Sequence, residues 1–193
     1  MPLIPTGYER LLPPNTQVAV HASRRAVAQM LSGRVLDLGG AASHLTMHRR
    51  SQIQTSVVLD SPDDPRLVEL AEGKSRFDHV VAVCALSRTT DLDATLAAVK
   101  TVLAPGGRLH FVEPVSTSGR VRTLSRLARP VVAAAAGFHL ERNVVQEIRD
   151  AGFTICDIHR ERSTTWKWPF QHIAWGSARI SIAATPSGPD TTS

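Results

Sequence analysis

Apolar residues recur in this chain with two different periods, and the alternation between them outlines the fold. At helical spacing, Ala19, Ala22, Ala26 and Met30 stand beside Val20, Val27 and Leu31, with His21, Arg24 and Arg25 on the opposite face. A stripe of this period predicts a helix from a cap at Asn15 to about Leu31, ended by Gly33. Short unbroken apolar runs predict strands at Val35–Leu38, Thr55–Asp60, Val80–Ala85 and Arg108–Glu113. Between them, Pro62–Glu72 reads as a short helix. A longer one starts at Asp91 and sets Leu92, Leu96, Val99 and Leu103 on one face, and Pro105-Gly106-Gly107 stops it in a turn. Strand and helix alternate without hairpin-length connections, which argues for parallel strands joined by crossover helices. Thr117–Ala136 and Glu141–Ala151 read as further helices, the second closed by Gly152. Phe153–Glu161 and His172–Ala184 read as strands, an antiparallel pair at the end of the sheet. The domain therefore runs from 15 to 184, between a proline-punctuated arm (1–14) and a polar tail (185–193) expected to be disordered.

One stretch carries chemistry: Gly33-Arg-Val-Leu-Asp-Leu-Gly-Gly-Ala-Ala-Ser43. Asp37 ends the first strand, Gly39-Gly40 permits a sharp turn, and Ala41 to Arg50 reads as a helix. In an open α/β sheet, a strand that ends in Asp-x-Gly and opens into a helix holds a nucleotide-like ligand at its carboxyl end. Glycine there lets the ligand approach the backbone. A plain tight turn is the competing reading. Asp60 ends the second strand 21 residues after Gly39, where such folds place an acid for ribose hydroxyls. A carboxylate suits that task because it accepts two hydrogen bonds from a vicinal diol. Capping the helix that begins at Ser61-Pro62 is the other role open to it.

Composition narrows the class without naming a ligand. With 193 residues, 42% of them hydrophobic and 20% charged, the chain supports one globular domain with a full core. Cys84 and Cys156 lie in apolar runs and read as reduced core residues of a cytoplasmic protein. Met1–Thr6 has two prolines and no basic region, so no signal peptide is expected. The apolar run Val131–Phe138 is far short of the ~20 residues that cross a bilayer. A net charge of +5 brings nucleic acid and anionic surfaces into view. Only three of the 22 lysines and arginines are lysine, and the arginines are spread along the chain. The densest group, Arg120, Arg122, Arg126 and Arg129, reads first as a solvated helix face, with a phosphate or lipid-surface contact as the alternative. Nucleic acid is therefore not the expected partner.

Three segments together resemble the class I S-adenosylmethionine-dependent methyltransferases, nearest to the small-molecule branch of quinone-biosynthesis and thiol-methylating enzymes. Val35-Leu-Asp-Leu-Gly-Gly40 is similar to the family's first motif. Phe77-Asp-His-Val-Val81, Asp91-Leu-Asp-Ala-Thr-Leu96, Val102-Leu-Ala-Pro-Gly-Gly-Arg-Leu109 and Phe111-Val-Glu-Pro114 resemble its fourth-strand to fifth-strand block. Gly137-Phe-His-Leu-Glu-Arg142 with Ala151-Gly-Phe153 resembles its C-terminal segment. The resemblance spans about residues 8–182. It implies a three-layer, Rossmann-like α/β fold with a mostly parallel sheet and an antiparallel C-terminal strand. Two departures stand out. Ala41 and Ser43 replace the last two glycines of the family's Asp-x-Gly-x-Gly-x-Gly loop. Only 16 residues separate Asp60 from Phe77, too few for the usual third strand and the acid that contacts the adenine amine, so that strand is expected to be missing.

The resemblance implies S-adenosyl-L-methionine as cofactor. Its methionine part would lie against Asp37, Gly39, Gly40 and Ala41, its ribose on Asp60, and its adenine near Ser61 and Cys84-Ala85-Leu86. Methyl transfer from a sulfonium is an in-line displacement, in which positioning and desolvation do most of the work. A general base is needed only for a protonated acceptor, and Glu113, His139 and His172 are the candidates, each also readable as a packing residue. Tyr8 and the aromatic pair Trp166 and Trp168 are the candidate substrate contacts, because exposed aromatic rings are costly unless they cover something. What they cover is a small hydrophobic or aromatic acceptor, a second subunit in a homodimer, or the helices of Thr117–Ala136. His44 and His48 stand one helical turn apart, but no third ligand makes them a metal site. The expected activity is methyl transfer to such an acceptor. The alternative is a catalytically inactive methyltransferase-like binding or scaffold protein. A nucleic-acid methyltransferase and a nicotinamide-dependent enzyme fit less well.

Overall fold

One sheet carries the fold. Its strands are β1 (Gly33–Asp37), β2 (Ile53–Val58), β3 (Phe77–Val83), β4 (Leu103–Pro114), β5 (Phe153–Arg162) and β6 (His172–Ile180), in the order β2-β1-β3-β4-β6-β5. The structure is a computed structural model and describes residues 22–39, 52–115, 139, 142–162 and 172–181. Around the sheet lie helices α1 (22–28), α2 (Arg66–Glu72), α3 (Leu92–Val102) and α4 (Val144–Asp150). β1 to β4 pair in parallel, and β6 is antiparallel to both β4 and β5. β5 therefore points the same way as the first four strands, and β6 alone runs against them.

The continuous apolar runs become strands because both faces of the sheet are covered. On one face Leu36, Val80, Ala82, Leu109 and Phe111 pack into a single buried cluster with Leu96, Val99 and Val102 of α3 and Val144, Val145 and Ile148 of α4. Each such side chain contributes about 1.5–3 kcal/mol on burial. Asp91 starts α3 by accepting the Ala94 N–H at 2.9 Å. α2 packs on α3, and α3 on α4. The alternate residues Val35, Val81, Val83 and Val112 are buried as well, on the opposite face of the sheet.

β2 pairs only with β1 among the described residues, and Gln54, Thr55 and Ser56 along it are exposed. Residues 59–76 hold a turn and α2 and then lead straight into β3. The strand expected to be missing is missing from that interval. Polar, exposed residues suit an edge strand that must not recruit another chain.

Several boundaries differ from the sequence pattern for local reasons. β4 begins at Leu103, directly after α3. Leu103 already pairs with Phe77, and the register then breaks until Arg108 pairs with His79. Residues 104–107 are the bulge this leaves, with Gly106 at φ +80°; the sequence marked the turn there but not the strand around it. α2 starts at Arg66, not Pro62, because residues 61–65 form a turn. α4 starts at Val144 behind Asn143, whose side chain accepts the Gln146 N–H. In α1 the buried face is Ser23, Arg24, Val27, Ala28 and Leu31, whereas Ala22 and Met30 are exposed; Arg24 lies on the covered side. Cys84 is buried, but Cys156 is exposed, at the register break between Ile155 and Asp157, so only Cys84 is a core residue. The arm, the Ala41–Arg50 and Thr117–Ala136 helices and the tail lie outside the described residues.

Candidate cofactor and active site

Parallel strands bring the ends of β1, β2, β3 and β4 to one side of the molecule. At the end of β1, Asp37 is fully buried. Its carboxylate accepts the Gly39 N–H at 3.1 Å, and its carbonyl accepts the Leu59 N–H at 2.9 Å. Leu38 donates in turn to the Val81 carbonyl at 2.9 Å. The exit of β1 is thus fixed between its two neighbours.

Just beyond β2, the Asp60 side chain is 97% exposed, and its one partner among the described residues is the Arg66 guanidinium at 3.4 Å. It does not cap α2. Asp64 does that work: it accepts the Arg66 N–H at 3.0 Å and the Asp60 N–H at 3.2 Å. The Arg66 side chain also grips Asp64 at 2.6 Å and holds its carboxyl well below the usual range. The capping alternative for Asp60 is therefore not how the chain uses it, and its carboxylate faces solvent. Ser61 beside it is partly buried.

The segment after β3 forms the buried wall of the site. Cys84 turns the chain at φ +50°, a left-handed conformation that costs a non-glycine residue about 1–2 kcal/mol. Its N–H donates to the Val112 carbonyl at 2.7 Å. Glu113, fully buried at the end of β4, accepts the N–H groups of Ala85 (2.9 Å) and Leu86 (2.8 Å) on one oxygen and of Ser87 (3.1 Å) on the other. Burial pushes its carboxyl up to about 7, against the hydrogen bonds from the 85–87 segment, which favour the ionised form. From the other side, Asp63 accepts the Thr90 N–H at 3.1 Å and the Thr89 hydroxyl. Arg142 donates to the Thr89 and Thr90 carbonyls at 2.6 and 3.2 Å. The His139 N–H meets the Ser87 carbonyl at 2.6 Å. Residues 84–91 are thereby held from β4, from the turn before α2 and from the segment before α4.

Of the three candidate bases, Glu113 has both oxygens engaged with the backbone it holds. His139 and His172 are partly buried at the same end of the sheet; the His172 carbonyl accepts the Val115 N–H at 2.9 Å. Gly40, Ala41, Tyr8, Trp166 and Trp168 lie outside the described residues. Arg162 and His172, which flank residues 163–171, pair with each other at the carboxyl ends of the strands. Nearby on the sheet, Trp175 stacks on His159 at 4.0 Å and donates to Glu161 at 3.0 Å. Sequence reasoning missed Asp63 and Arg142. Both act across long sequence separations, and no local pattern marks them.

No family model matches the chain, and no curated protein does. Solved structures do. A protein of Bacillus halodurans C-125 provisionally named a methyltransferase superposes with a TM-score of 0.62 at 13% identity, over 83% of this chain and 98% of its own. The N-methyltransferase NodS of Bradyrhizobium japonicum WM9, in complex with S-adenosyl-L-homocysteine, gives 0.60 at 14%, over 90% and 91%. The cyclase SpnF gives 0.58 at 19%, over 86% and 82%. The protein therefore has the mixed, mostly parallel, Rossmann-like sheet of the class I methyltransferases, with the antiparallel strand near one edge and without the usual third strand among the described residues.

Proposed function

We propose that the protein binds S-adenosyl-L-methionine at the carboxyl ends of β1 to β4 and transfers its methyl group to a small hydrophobic or aromatic acceptor, of the quinone or thiol kind. The observation that carries this reading is the open carboxylate of Asp60, held outside the helix-capping network and next to the pinned exit of β1. The exposed carboxylate of Asp60 and the buried turn at Cys84-Ala85-Leu86 support this placement. Asp60 accepts from the ribose hydroxyls; Asp37, Gly39, Gly40 and Ala41 meet the methionine end; Ser61, Cys84, Ala85 and Leu86 line the adenine side. Bound there, the cofactor would supply a methyl group on a positively charged sulfur, open to in-line attack by the acceptor with a neutral thioether as the leaving group. The chain's own part is to orient and to exclude water. Glu113 is a positioning residue, since it holds the backbone of 85–87. His139 and His172 are the bases available to an acceptor that must lose a proton. Tyr8, Trp166 and Trp168 contact the acceptor, or a second subunit if the protein is a homodimer.

The second reading, an inactive methyltransferase-like binding or scaffold protein, is favoured by the absent third strand. That a cyclase shares the fold fits the general rule that function lies in the site and not in the fold. Calorimetric titration with S-adenosylmethionine and S-adenosylhomocysteine, with ATP and NAD as controls, separates the two. Micromolar binding of either sulfur ligand is expected. No binding by folded protein at millimolar ligand would overturn the enzyme reading and favour the scaffold.

A further inference from the structure

A cavity of about 550 Å³ opens at the other end of the sheet, where β4 begins and β6 ends, and Arg76, Lys100, Arg108 and Arg179 line it together with Gly106 and Gly107. Arg108 lies five residues back from Glu113 along β4, roughly 17 Å away at the rise of a strand. This is a separate place from the cofactor site. Among the described residues no carboxylate lines the cavity.

Two of the four cations are explained by the fold. Lys100, in the last turn of α3, donates to the Ala151 carbonyl at 3.0 Å beyond the end of α4. Arg76 donates to the Ser75 carbonyl at 3.0 Å. Arg108 and Arg179 are not explained. They are direct cross-strand partners in the antiparallel β4–β6 pair, and like charges directly opposite one another destabilise a sheet. Among the described residues neither is paired with a carboxylate. An arrangement that repels itself becomes favourable when an anion sits between the two guanidinium groups, whose planar forks match phosphate oxygens. The bulge at 104–107 leaves room beside them, and the volume suits a small molecule.

We propose that this cavity is a binding site for a small phosphorylated ligand, with the phosphate held between Arg108 and Arg179. All four cations line one recess, which favours a compact phosphate over an extended nucleic-acid backbone. The test is calorimetric titration with inorganic pyrophosphate, ribose 5-phosphate and a short single-stranded RNA, on the full chain and on Arg108→Gln, Arg179→Gln and Arg160→Gln. Saturable binding of pyrophosphate or ribose 5-phosphate is expected, weakened roughly tenfold or more in the Arg108 and Arg179 variants and unchanged in Arg160→Gln. Tighter binding of ribose 5-phosphate would assign an organic phosphate, and tighter pyrophosphate a bare one; both sustain the site. In anion-free buffer each of the two variants should melt at or above the parent, because a like-charge pair has been relieved. Failure of either phosphate to bind, equal loss in Arg160→Gln, or binding of RNA alone would overturn the proposal. So would a clear drop in melting temperature on losing either arginine without ligand, since the side chains would then serve packing.

Discussion

Asp60 and Glu113 are both carboxylates near the carboxyl ends of parallel strands of the one sheet, β2 and β4, and their surroundings give them opposite parts. The Asp60 side chain is almost wholly in solvent, so Asp60→Ala removes nothing that the fold rests on. It should leave the melting temperature unchanged and weaken S-adenosylhomocysteine by about tenfold or more, the worth of one or two hydrogen bonds to a charged group. Equal affinity in a calorimetric titration would show that the ribose lies elsewhere. Glu113 accepts three backbone N–H groups in the interior. Glutamine in its place keeps one acceptor oxygen and turns an NH₂ toward a donor, at a cost of about 1–3 kcal/mol. The same carboxyl sets a pH dependence. Burial raises it from 4.5 to about 7 in the folded protein, so the native state holds this proton more tightly than the unfolded chain does. Its contribution to stability is complete below about pH 4.5 and is lost as the pH rises through about 7. Melting curves across that window should show a decline in the parent that Glu113→Gln lacks. A slope that persists in the variant would belong to other groups.

The loop after β3 owes its shape to elements far away in sequence, and this marks where sequence reading stops. The parallel pairing and the antiparallel C-terminal pair were legible in the apolar runs and turn residues, and the absence of a third strand in the 16-residue gap between Asp60 and Phe77 set against the family the chain resembles. The order of the strands in the sheet, with β6 between β4 and β5, was not. Asp91 and its stripe of Leu92, Leu96 and Val99 were legible for the same reason, since a cap and a helical period are local signals. The clamps were not. Glu113 reads alike whether it is open to a substrate or closed on Ala85 and Leu86, and only the pairing of β3 with β4 decides between these. Arg24 read as a solvated residue because its helix has small residues on both faces, and the packing buries it. Arg142 is the clearest test of the clamp. Its guanidinium ties the start of the α4 segment to the carbonyls of Thr89 and Thr90, and hydrogen bonds to charged groups are worth about 1.5–3 kcal/mol. Arg142→Ala should lower stability by that order and speed amide exchange at residues 84–91 more than in β1 or β2. Uniform exchange acceleration would mean that the loop opens only with the whole domain.

Across the described residues the sheet stops one strand early, at β2, and this bears on what the cofactor site can recognise. The acid that would contact an adenine amine belongs to a strand that residues 59–76 do not form. The carboxylates that this stretch does contain are otherwise placed. Asp63 is bound to Thr89 and Thr90, Asp64 to Arg66, and Glu69 and Glu72 ride exposed on α2. Asp60 remains, and the proposed function gives it to the ribose. A site that reads a polar group through a dedicated partner rejects an analogue lacking it by factors of about 10⁴ or more, whereas a site without that partner discriminates weakly. S-inosylhomocysteine, in which a carbonyl replaces the adenine amine, should therefore bind within about fivefold of S-adenosylhomocysteine. Rejection of the inosine compound by orders of magnitude would place a carboxylate or carbonyl against the amine from outside the described residues, and the open edge at β2 would then not be open in the working protein. If neither compound binds, the cofactor reading itself fails, a result distinct from a loss of base selectivity.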